Sequence, residues 1–252
     1  MDEYSSRDLG FKELFNILII FHNICKLNTN PAKRHSMKTS LPVRALCVKC
    51  LKAQVTCLCR SVKKFKTRFQ IVLLQHPMER RKAIGTARMT HLSIENSKLI
   101  CGKDFNDHSQ VKALIANPDH HCVVLFPGLN SFNLSHAPQN ERLNLFPSQK
   151  KLVVFVIDGT WASAKRMLRD SENLLALPQI CFTPQKLSEY KIRQQPMKHC
   201  VSTIEAVHQL LGLLEPSVPA DDLLVLFREM VELQVQHFNR NQVLESSPIE
   251  LP

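Results

Sequence analysis

Three short runs of this chain are almost wholly apolar: FQIVLL (69–74), CVVLF (122–126) and LVVFVI (152–157). None alternates apolar with polar residues as a half-exposed strand does, and all three are rich in Val, Ile, Leu or Phe. The pattern predicts strands buried on both faces, as in a parallel sheet covered by helices. Helical periodicity follows them. Residues 161–169 come directly after the third run. Residues 203–214 set Ile204, Val207, Leu210, Leu211 and Leu214 on one face, and 221–239 form a longer amphipathic segment. The fold class is therefore α/β, a mostly parallel sheet with flanking helices.

Each apolar run ends in an unusual polar or turn-forming cluster. QHPMER (75–80) follows the first, Pro127 and Gly128 the second, and DGTW (158–161) the third. In open α/β sheets ligands bind outside the carboxyl ends of the strands. The candidate chemistry thus stands where a site is expected. Asp158 would close the third strand. Gly159 lets the chain turn and a ligand approach the backbone. Thr160 is placed to cap the next helix, and Asp158 itself could do the same with its carboxylate. Trp161, the one tryptophan, suits either a core position or the wall of a site. His76, Glu79, Arg80 and Arg88 form a mixed cluster after the first strand. Further on, Ser202 and Glu205 make an S-x-x-E capping box ahead of an apolar helix. The loop before it carries Tyr190, Arg193 and Pro196, a setting that suits a carboxylate ligand beside a helix amino terminus.

Ahead of the first strand lies C-x2-C-x6-C-x-C: Cys47, Cys50, Cys57 and Cys59. Four thiolates so close can reach one tetrahedral zinc ion, and a closed four-sulfur site is structural. A basic run follows, including Lys63 and Lys64. Residues 1–40 read as a variable extension, 41–68 as a small zinc knuckle with the basic run, 69–240 as the α/β domain and 241–252 as a tail.

Charge narrows the partner. Lys and Arg number 33 against 22 Asp and Glu, a formal net charge of +11. Such an excess points to a polyanion, with nucleic acid ahead of an anionic membrane surface. The early apolar stretch is broken by Lys12, Glu13, Asn16, His22 and Asn23, too often for a spanning helix of about 20 residues. Asp2, Glu3 and Asp8 oppose a secretory signal. An intracellular protein acting without a membrane is expected.

The order of cysteine knuckle, QHPMER, LFPG, DGTW, Y-x-I-R and STIEA resembles the DTW-domain family of tRNA-uridine aminocarboxypropyltransferases, over about residues 47–240. The resemblance implies a SPOUT-like sheet with a trefoil knot and makes 69–240 the catalytic domain. It implies transfer of the 3-amino-3-carboxypropyl group of S-adenosyl-L-methionine to a tRNA uridine, with 5′-methylthioadenosine leaving. On that reading Asp158 is the base. Leu125, Pro127, Gly128, Gly159, Thr160, Trp161, Tyr190, Arg193, Ser202 and Thr203 bind the cofactor. His76, Glu79, Arg80, Arg88, Lys63 and Lys64 meet the RNA, and zinc is structural. One departure stands out: relatives often carry Asn-Thr where this chain has IGTAR (84–88), which leaves substrate choice open there. A SPOUT-type RNA methyltransferase, transfer to ribosomal RNA and a non-catalytic zinc-knuckle RNA-binding protein remain rival readings. The oligomeric state is not fixed by the sequence.

Overall fold

A computed structural model describes residues 45–80, 82, 85–147, 149–184 and 201–246. The three apolar runs become β1 (Gln70–Gln75), β3 (His120–Leu125) and β5 (Lys151–Asp158). They form the middle of a six-stranded sheet. Shorter strands complete it: β2 (Lys98–Cys101), β4 (Phe132–Asn133) and β6 (Gln179–Cys181). The order is β2-β1-β5-β3-β6-β4, and every pairing is parallel.

The strands are apolar throughout because both faces of the sheet are covered, and side chains still alternate between two cores. Ile71, Leu73, Val123, Leu125, Val154 and Val156 share one core with helices α2 (Thr86–Ser93), α7 (Thr203–Leu214) and α8 (Asp221–Ser246). Val72, Leu74, Val124, Val153, Phe155 and Ile157 pack on the other side. Their partners there are α3 (Ser109–Ala116), α5 (Trp161–Asp170) and the short α6 (Glu172–Leu175). Two further short helices, α1 (Pro77–Arg80) and α4 (Gln139–Leu143), lie in connections. The knuckle is built onto the first core, since Cys50, Leu58 and Phe65 belong to it. Among the described residues no helix is long and apolar enough to cross a membrane.

The structure moves strand ends by a residue or two. Gln75 and Asp158 are the last residues of β1 and β5, not the first of the following loops, and they pair across the ladder. Backbone pairing continues past the apolar run because it depends on N–H and C=O groups, which every residue here supplies. The ladder runs one bond further, with His76 N donating to Asp158 O at 2.8 Å.

Candidate functional site

Asp158 stands at the carboxyl edge of the sheet, in its middle strand between β1 and β3. It is 2% exposed. Thr203 Oγ1 donates to its Oδ1 at 2.6 Å and Gln75 Nε2 donates to its Oδ2 at 2.9 Å. The carboxylate therefore ties β1, β5 and the start of α7 together. It does not cap α5. That cap is Thr160, whose Oγ1 accepts from Ser163 N at 3.1 Å. Burial pushes the Asp158 carboxyl above the ordinary carboxylate range, against the two hydrogen bonds and the charge of Lys82. Each oxygen has spent one lone pair on its donor, so one remains on each.

The amino ends of α5 and α7 both meet this edge. Ser202 caps α7 in a full capping box, its Oγ accepting from Glu205 N while Glu205 Oε2 accepts from Ser202 N at 2.7 Å. The positive ends of two helices favour an anion here. Gly159 is buried in the turn between β5 and α5. A Cβ on it would lie 3.3 Å from Ser163 Cβ and 3.4 Å from Ala164 N, a tight fit for any side chain. Trp161 is half-buried, stacked on Phe126 at 5.2 Å between centroids with 4° between planes. It is thus both core-facing and part of the wall at the ends of β3 and β5.

His76 follows on β1's side. Its Nδ1 accepts from Met78 N at 3.2 Å, which in the neutral ring puts the proton on Nε2. Burial first, then the positive charges of Lys103, Lys82 and Arg166, hold His76 below its ordinary range. Three separate segments thus bring a cation toward one imidazole: the end of α1, the turn after β2, and α5. The sheet explains the meeting. Gln75 pairs with both Cys101 and Asp158, and Gly102 N donates to Gln75 O at 3.0 Å. Lys103 and Arg166 are exposed and, among the described residues, neither has a carboxylate within 4.0 Å. Half-buried Arg88 is held below the usual arginine range by burial and by the charge of Arg80.

Other expected residues are placed differently around this centre. Leu125 is buried in the first core, so only its backbone is available to a ligand. Pro127 and Gly128 are half-buried beyond it, and the Gly128 amide already donates to Ser131 Oγ at 2.6 Å. Glu79 is buried, its carboxylate 2.6 Å from Lys82 Nζ. Tyr190, Arg193 and Pro196 lie outside the described residues. Lys63 and Lys64 belong to the far edge. Lys63 binds Asp222, in the first turn of α8, at 2.8 Å, and Arg68 N donates to Glu215, just past the carboxyl end of α7. That edge is one strand length, roughly 17–20 Å, from Asp158.

Sequence reasoning passed over Gln75, Lys82 and Lys103 as members of the site. For Gln75 the signal was its place immediately after an apolar run, the same place that Asp158 holds. Lys103 gave no signal, because β2 is four residues long and half exposed.

The four cysteine sulfurs of the knuckle lie within 4.8 Å of one another. Cys47 Sγ is 3.7 Å from Cys59 Sγ, and Cys50 Sγ is 3.7 Å from Cys57 Sγ. A tetrahedron with Zn–S of about 2.3 Å has edges of about 3.8 Å, so the donor set fits zinc. The turn that gathers them places Leu51 at φ 58° and closes with Cys47 N donating to Lys52 O at 2.7 Å. Backbone amides of Cys50 and Lys49 lower the Cys47 thiol to about 6. Burial and the neighbouring thiols push Cys59 up, and burial raises Cys50. Four thiolates in this volume require a cation.

A family model described as the DTW domain matches residues 44–235. The tRNA-uridine aminocarboxypropyltransferase 2 of Drosophila melanogaster is 31% identical over 179 residues, 68% of this chain and 67% of its own length. The protein of the same name from Mus musculus is 26% identical over 200 residues, covering 77% of this chain and 65% of the mouse protein. The tRNA-uridine aminocarboxypropyltransferase A of Arabidopsis thaliana is 27% identical over 219 residues, 82% of its length. The chain thus spans about two thirds of the length of these animal relatives. No solved structure matches it.

Proposed function

This chain belongs to the DTW domain family, and on that footing we propose that it transfers the 3-amino-3-carboxypropyl group of S-adenosylmethionine to a uridine of tRNA. The observation that carries the reading is Asp158: a buried carboxylate held by two donors at the carboxyl edge of the sheet, with cations near. A uracil imide is a poor nucleophile until it loses its N3 proton. A carboxylate raised by burial is a better base than a solvated one, and it has a free lone pair on each oxygen for that proton. Thr203 and Gln75 fix its orientation, so it need not reorganise during reaction.

The residues fit the co-substrate. A methionine carboxylate suits the amino ends of α5 and α7, and Arg193 and Tyr190 are assigned to the same group. The Gly159–Trp161 turn and the backbone around Gly128 would hold the adenosine. Gln75 Oε1, buried and without a partner among the described residues, requires an N–H or O–H donor. When bound, S-adenosylmethionine supplies the electrophilic carbon and the leaving group, 5′-methylthioadenosine. The trefoil knot belongs to this proposal too; the chain joining β6 to α7 runs through residues 185–200, outside the described residues.

The target uridine would come from a loop of tRNA, where a base can be turned out of its stack, and the work would be intracellular. His76 offers an Nε2–H donor to it. Lys103 and Arg166 would take the flanking phosphates. The far-edge Lys63 and Lys64 would reach only a distant part of the tRNA body. Affinity for tRNA should fall steeply with salt. Lys103→Ala and Arg166→Ala should each flatten the slope of log K against log salt by roughly 0.7–0.9, read by filter binding across a salt series. Slopes equal to wild type would remove those two residues from the interface.

A further inference from the structure

The side-chain amide of Gln75 works in two directions. Its Nε2 donates to Asp158 Oδ2 at 2.9 Å, while its Oε1 is buried with no hydrogen-bond partner among the described residues. The residue is 1% exposed, so solvent does not reach this oxygen from bulk. The orientation is forced. A reversed amide would set an acceptor against the ionised carboxylate, so nitrogen must face Asp158 and oxygen must face away. Buried acceptors are nearly always paired in folded proteins, and one that is not calls for a donor from a water, an ion or a ligand. This one sits at the end of β1, beside the paired end of β5, on the edge where the ligands would bind.

We propose that Gln75 is the positioning residue for Asp158 and that its Oε1 completes the site by accepting an N–H donor from the bound ligands. The inference rests on the reading of Asp158 as the base. The α-ammonium of the methionine moiety has the required chemistry; the uracil imide does not, since its single N3 proton is the one that Asp158 takes. The amide links the ammonium to the base. It locks one carboxylate oxygen from the side, leaving that oxygen's other lone pair for the proton, and it gives the incoming ligand a fixed contact next to the reacting atoms.

Gln75→Met keeps the bulk and removes both arms. Gln75→Glu tests the arms chemically. A protonated glutamic acid has the donor and acceptor of the amide, an O–H toward Asp158 and a C=O away from it. Once ionised it sets two carboxylates side by side, and such a pair holds one proton between two apparent pKa values. The charged and titratable groups around the pair are His76, Lys82 with Glu79, Lys103, Arg166 and, on α7, Glu205. None of them is altered.

The measurements are pH–rate profiles of transfer to unmodified tRNA, with calorimetry of S-adenosylmethionine binding and a thermal melt of each variant. Gln75→Glu is expected to follow a bell, with a descending limb that wild type lacks at that pH. Gln75→Met is expected to lose at least about tenfold in rate across the whole range. Weaker S-adenosylmethionine binding by Gln75→Met assigns the N–H donor to the ammonium. Unchanged S-adenosylmethionine binding by Gln75→Met overturns the ligand contact of Oε1. A slow Gln75→Met beside a Gln75→Glu profile of wild-type shape makes the residue merely structural and overturns the inference. Wild-type rates in both variants do the same. No transfer by wild type itself would instead overturn the functional reading, a separate failure visible before any variant is made.

Discussion

Asp158→Asn is expected to slow transfer by about 10²–10⁴-fold, the usual worth of a positioned base, and to leave the protein no less stable at neutral pH. The asparagine is isosteric. Its Oδ1 can still accept from Thr203, and its amide can donate to Gln75 if the Gln75 amide turns over and presents Oε1. Thr203 and the inward side of Gln75 then keep a partner, while the Gln75 nitrogen takes the outward position that its oxygen held. Alanine is a poorer test, because it would strand the Gln75 and Thr203 donors at a cost of about 1–3 kcal/mol each. The charge effect has a definite sign. Burial raises the folded-state carboxyl above its unfolded value, so folding favours the protonated form. That contribution is complete below the unfolded value of about 4 and is lost as pH rises through the higher folded value. At neutral pH the ionised side chain costs stability, a cost that asparagine avoids. Urea unfolding at pH 4 and pH 8 should show the variant gaining on wild type at the higher pH. An Asn variant with wild-type turnover would remove the base role. A variant weaker than wild type at pH 8 would mean that the carboxylate is a net structural support.

The second large effect is expected from the metal. Structural zinc contributes about 10–16 kcal/mol of apparent binding free energy in small zinc modules at neutral pH. Here the knuckle is not a detached bead. Cys50, Leu58 and Phe65 pack into the core beneath α7 and α8, and Phe65 N donates to Ser93 O at 2.9 Å, joining the segment to α2. Chelation, or Cys57→Ala, should lower the melting temperature of the whole protein and not melt the knuckle alone. Purified protein should carry about one zinc per chain by elemental analysis, and zinc added back after chelation should restore the melt. A melt indifferent to chelation, with no zinc bound, would leave four reduced thiols and a fold that stands without them.

Much of this architecture is readable along the chain for one physical reason: burial on both faces needs apolar residues at every strand position. β1, β3 and β5 therefore announce themselves. β2, β4 and β6 do not, since strands of two to four residues at or near the sheet edge carry little pattern. Helix α7 is readable to the residue, because the Ser202–Glu205 box marks its start and the apolar stripe its course. The site is harder to see. DGTW marks Asp158, but a carboxylate before a helix has two uses, and spacing does not choose between capping and reaction. The structure removes the capping use: Thr160 takes the cap, while β1 and α7 deliver Gln75 and Thr203 to the carboxylate from 83 and 45 residues away. Those meetings, and the gathering of Lys82, Lys103 and Arg166 around His76, are products of strand order and have no local signature. The distance of the basic run from the site is hidden for the same reason, since it lies directly before β1 in sequence but at the opposite end of the strand from Asp158.

The most direct test incubates the purified protein with unmodified tRNA and S-adenosylmethionine and digests the RNA to nucleosides for mass spectrometry. The account predicts a uridine heavier by one aminocarboxypropyl group, with 5′-methylthioadenosine released in equal amount. A methylated base with S-adenosylhomocysteine would make the protein a methyltransferase. No modified nucleoside, from tRNA that the protein binds, would make the site non-catalytic toward tRNA and contradict the account.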